Sequence, residues 1–141
     1  MPDIVLVQAS TILPDAEVIA ALPALGKWTR LVTDAYGLEP VSLSFMLLAD
    51  FQAGKAQETW PLFLNRHSTD PGALGFHDTL DGRPYSRSFS GDDKLDGLNP
   101  WVTITHELAE MIVNPATMHD FLPIAPRAFT CWFLQHDKVH P

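Results

Sequence analysis

The chain has 141 residues, 46% hydrophobic and 18% charged, which is long enough for one substantial core and too apolar for disorder. A net charge of -8 with only 9 Lys and Arg offers no basic cluster to hold phosphate, so nucleic-acid binding is not expected. Cys131 is the one cysteine, which excludes an intrachain disulfide and any Cys-based zinc site.

The opening MPDIVLVQASTILPD has no basic region and only a short apolar run, and no apolar stretch reaches the length of a membrane span. The expectation is a soluble, cytoplasmic chain with no membrane contact, or one packed into a virion assembled there. Ile4 to Val7 reads as a buried strand. Pro14 then starts a helix, with Asp15 and Glu17 in its favourable first turn and Val18, Ile19 and Leu22 on one face. Pro23 predicts an interruption, after which Leu25, Trp28, Leu31, Val32 and Ala35 resume the pattern up to a stop at Gly37. Val41 to Ala49 turns continuously apolar, as suits a central strand, and Asp50 to Glu58 reads as a polar connection. Trp60 to Asn65 reads as a further strand with Pro61 at its beginning or on an edge.

From Thr69 the composition shifts to Gly, Asp and Pro. Ala73–Thr79 and Arg83–Phe89 read as two strands joined by a tight turn at Asp81-Gly82, a pair favoured where positive φ is needed. Gly72 and Gly75 would let another backbone come close, and Ala73–His77 is the candidate edge to receive an extended peptide by strand addition. Ser90 to Leu98 reads as a solvated acidic connection. Its DDKLDG string is not a calcium loop, because Lys94 takes the third position and Thr103 the twelfth, where ligating oxygens are required.

Asn99 to Pro115, NPWVTITHELAEMIVNP, predicts a capped helix: Asn99 is a preferred N-cap, Pro100 suits the first position, and Pro115 disfavours α geometry at Asn114. At 100° per residue Trp101, Ile104, Leu108, Met111 and Ile112 share one side, with His106, Glu107, Glu110 and Asn114 on the other. Within it lies the string HExxE. In the related HExxH helix, residues at i and i+4 bind zinc from one face and the adjacent Glu acts as general base. Here Glu110 replaces the second His. A carboxylate oxygen reaches zinc at about 2.0–2.2 Å, so the spacing still suits a metal, but an anionic ligand leaves a weaker Lewis acid or favours another divalent ion such as manganese.

A third protein ligand is required. Asp120 and His119 are the preferred candidates, since NPATMHDF follows the helix closely; His136, Asp137 and His77 are the others. Tyr85, His77 or Arg87 are candidates for a second donor to an oxyanion.

LGFHDTLDGRPYSRSF followed by WVTITHELAEMIVNP resembles a zincin-like family of bacteriophage and bacterial proteins, marked by an LGYH-type strand, a D-G-x-P-Y turn and an SHExxEMxxDP helix. The likeness covers Gly72–Pro115, and the earlier half only by element order. It implies a zincin-like α+β fold taken as metallopeptidase-like or virion-associated, with His106, Glu107 and Glu110 in the motif positions and Leu74, Gly75, Phe76 and His77 in the neighbouring strand. Two features depart from the pattern. Asn114 stands in place of Asp, and PRAFTCWFLQHD replaces an acidic stretch after the helix.

The expected fold is therefore α+β, a single compact domain over 1–141. It comprises a small mixed sheet, a two-segment N-terminal helix, a motif helix at 100–114 and a tail at 115–141. The expected function is a zinc-dependent, peptidase-like hydrolase with His106 and Glu110 as ligands, Glu107 as base, and a peptide or protein as substrate. The alternative is a non-enzymatic interaction or virion protein, oligomeric through its apolar surface, in which any metal is only structural.

Overall fold

The computed structural model describes residues 2–56, 58–68, 75–80 and 82–115. Its elements run β1 (Asp3–Gln8), α1 (Asp15–Tyr36), β2 (Ser42–Leu47), α2 (Leu48–Gln52), β3 (Trp60–Asn65), β4 (Gly75–Leu80), β5 (Arg83–Phe89), α3 (Ser90–Leu95) and α4 (Pro100–Val113). They form a compact α+β fold around one five-stranded mixed sheet of order β2-β1-β3-β5-β4. β2, β1, β3 and β5 pair in parallel, and β4 closes the sheet by pairing antiparallel with β5.

Strand alternation sorts the apolar side chains onto two faces. Ile4, Leu6, Leu62 and Leu64 join α1 and α4 in the main core, while Val5 and Val7 point the other way, toward Phe51, Ala56 and Phe63 around α2. Phe51 and Phe63 meet edge to face with centroids 5.3 Å apart. Both faces of β1 are thus covered, which accounts for its unbroken apolar run.

Four expectations change. α1 runs through Pro23 as one helix of 22 residues rather than two segments. Proline removes one helical hydrogen bond there, and the burial of Ala21, Ala24, Leu25, Trp28 and Val32 against the core outweighs that loss. Among the described residues the apolar run Val41–Ala49 is not a central strand: β2 stops at Leu47 and forms an edge of the sheet, and α2 occupies part of the expected polar connection. Its hydrophobicity serves the faces that α1 and α2 cover, not a second neighbouring strand. Finally, Ser90–Leu95 is a short helix with Ser90, Gly91 and Asp93 buried, not a solvated connection.

Pro61 lies near the start of β3, as expected, and is tolerated in this interior strand because the β5 ladder begins only at Leu62. The β4–β5 hairpin also forms, closing at the Leu80–Arg83 pair with Gly82 at φ 77°. Among the described residues no helix is long and apolar enough to cross a membrane.

Candidate metal centre

α4 begins as its sequence dictates. The Asn99 side chain accepts from the Trp101 N–H at 3.0 Å, with Pro100 in the first turn. Trp101, Ile104, Leu108, Met111 and Ile112 are all buried. Two bonds fix the helix laterally: Trp28 Nε1 on α1 donates to the Thr105 carbonyl at 3.2 Å, and Ser86 Oγ on β5 meets Met111 Sδ at 3.5 Å.

The polar arc is not a solvated face. Glu107 is only 4% exposed, with Gly75 of the hairpin against its carboxylate, and Asn114 is 8% exposed. His106 and Glu110 are partly buried, at 20% and 16% side-chain exposure, with Nε2 and Oε1 3.0 Å apart. Ligand atoms of His106, Glu107 and Glu110 all fall within 4.8 Å of one another. Two donors bound tetrahedrally to one zinc would be separated by roughly 3.3 Å, so the His106–Glu110 spacing accommodates an ion with small side-chain adjustment. The donor set, one imidazole and carboxylates, is also suited to zinc or a harder divalent ion.

β4 sets the depth of this site. Gly75 pairs with Ser88, which shares its face with Leu64 and hence with α4. A Cβ placed on Gly75 would lie 2.8 Å from Thr103 Cγ2, 3.0 Å from Glu107 Oε1 and 3.1 Å from the Arg87 carbonyl oxygen. The close approach expected of another backbone is instead made by side chains of α4, which supply the two nearest atoms at Gly75. Glycine is required here for space rather than for turn geometry.

Of the other expected residues, Tyr85 and Arg87 separate from this group. Arg87 pairs with Phe63 across β3 and β5 and lies over its ring at 4.6 Å, while Tyr85 is 5.8 Å from the same guanidinium. Period-2 alternation therefore puts Tyr85 and Arg87 on the α2 face, away from α4, and neither serves as an oxyanion donor. His77 pairs through its backbone with Ser86 on β5. His119, Asp120, His136 and Asp137 lie outside the described residues.

Asp93 and Thr103 are neighbours of the site that composition did not single out. Thr103 Oγ1 donates to Asp93 Oδ1 at 3.0 Å. Burial pushes the Asp93 carboxyl up to about 7, against the lowering effect of the Thr103 bond, and the nearby Asp92 and Asp96 charges raise it further. Asp92, beside it, is held below the usual carboxylate range by the Ser68 N–H and by His67. Nothing local marks Asp93 for burial, because DDKLDG has the charged composition of a solvated turn.

Compared with known proteins, the chain matches no family model, no curated protein and no solved structure.

Proposed function

We propose that this chain is a zincin-like, metal-dependent hydrolase of peptide or amide bonds. The observation that carries the reading is the His106–Glu110 pair, one turn apart and 3.0 Å from each other, with the buried Glu107 beside it. His106 and Glu110 would hold the ion, with the third ligand coming from the candidates Asp120 and His119. A zinc ion held there supplies Lewis acidity toward water and a substrate carbonyl. Glu107 receives a proton from the attacking water on a carboxylate oxygen and delivers it to the departing nitrogen. Its burial favours this role by keeping bulk water from competing for that proton.

The substrate reading rests on β4. It has one neighbour in the described sheet, the antiparallel β5, and α4 packs beside it. An extended peptide adding along the side of β4 that no described strand occupies would bring main-chain carbonyls past α4, which is why a flexible protein segment is the preferred substrate.

A second reading has one observation in its favour. At 3.0 Å the His106–Glu110 contact is also within the distance of an i, i+4 side-chain pair that needs no metal, as a structural or virion-associated protein would have. Zinc binding and peptide hydrolysis by the full chain and by Glu107→Gln separate the two. The hydrolase reading expects metal to bind both proteins and turnover to fall about a hundredfold or more in the variant. Undiminished turnover by Glu107→Gln would refute the assignment of the base.

A further inference from the structure

Thr103 and Thr105 lie two residues apart on α4 and place their hydroxyls differently. In a helix, threonine divides between two rotamers because Oγ1 can turn back to a carbonyl of the preceding turn. Thr105 does so, donating to the Trp101 carbonyl at 2.8 Å with the Val102 carbonyl at 3.1 Å. Thr103 instead donates out of the helix, to Asp93 Oδ1. With its hydroxyl committed there, its methyl stands against Gly75, where the Glu107 carboxylate also lies. The methyl and the carboxylate thus crowd the same bare stretch of β4 from successive turns of α4.

The acceptor is rigidly mounted. α3 is pinned to the end of β3: Gly91 leaves no room for a Cβ against the Arg66 carbonyl, and the Asp92 N–H donates to that oxygen at 3.1 Å. The Asp92 carboxylate accepts from the Ser68 N–H at 2.7 Å. Asp93 is fully buried, and its Oδ2 has no hydrogen-bond partner among the described residues. An apolar side chain would serve stability better at such a position, so a carboxylate held there for one bond indicates a role beyond packing.

We infer that Asp93 is a positioning residue for Glu107, acting through Thr103: it selects the threonine rotamer whose methyl, with Gly75, confines the Glu107 carboxylate. The inference rests on the reading of Glu107 as general base.

The test uses the full chain and reads the rotamer and the chemistry separately. Three-bond NMR couplings to Thr103 Cγ2 report χ1 without any activity. In Asp93→Ala they are expected to move to the values of the back-bonded Thr105, and in Asp93→Asn, which keeps an acceptor oxygen, to stay at those of the wild type. In the same proteins zinc affinity is expected to hold, while kcat falls about tenfold or more in Asp93→Ala and recovers in Asp93→Asn. Thr103→Ala, which removes the methyl directly, should lower kcat likewise and carries the test if Asp93→Ala does not fold. Unchanged Thr103 couplings in Asp93→Ala, or an unchanged kcat in Thr103→Ala, overturn the positioning role while leaving an active wild type as a hydrolase. A wild type that binds zinc and hydrolyses nothing overturns the hydrolase reading and this role with it.

Discussion

Two glycines show how the surroundings of a residue decide the sign of a substitution. At Gly75 a methyl group would be forced against Thr103, Glu107 and the Arg87 carbonyl, so Gly75→Ala should cost about 1–3 kcal/mol and push β4 away from α4. At Gly26, inside α1, nothing lies within 4 Å of an added Cβ, and Gly26→Ala should stabilise by about 0.5–1 kcal/mol. Urea denaturation of both variants checks this opposition. Asp93 has a pH signature as well. Its folded pKa of about 7 lies above the unfolded value near 3.8, so the folded state binds the extra proton between them. Its contribution to stability is present below about pH 4 and lost as the pH rises to about 7. The stability of the wild type relative to Asp93→Asn should therefore decline across that interval and level off above it. A difference independent of pH would show that Asp93 is not buried as described.

Among the elements, α4 was the most legible, because the cap, the turn-spaced apolar face and the HExxE spacing are local properties that one stretch of sequence carries unaided. Asn99→Ala should cost about 1 kcal/mol through loss of the Trp101 N–H acceptor, and Leu108→Ala about 2–5 kcal/mol through the cavity left in the core. Thermal unfolding of the two variants orders them. The burial of Glu107 was not legible, since it depends on the β4–β5 hairpin docking at Gly75, a contact made by a distant part of the chain. α1 and α3 failed as expectations for the same reason from opposite sides. Packing carries α1 through Pro23 despite its local cost, and it draws the acidic Asp93 inward although DDKLD reads as solvated. Likewise the apolar run of β2 specified covered faces but not the number of neighbouring strands, which left edge and centre indistinguishable.

At the scale of the whole molecule, strand order makes the candidate site. Four parallel strands carry α1 and α4 on one face, and among the described residues the antiparallel β4 ends the sheet beside α4, so the HExxE spacing and an edge strand adjoin. A ligand that binds only the folded chain raises its stability, by about 2.7 kcal/mol at a hundredfold excess over its dissociation constant. Zinc should accordingly raise the melting temperature, and a chelator should reverse the rise. The most direct measurement is calorimetric titration of the full chain with zinc beside His106→Ala and Glu110→Ala. Stoichiometric binding by the wild type, lost or severely weakened in both variants, is the predicted result. A wild type that takes up no zinc, or variants that bind it equally well, would contradict the metal centre and the hydrolase built on it.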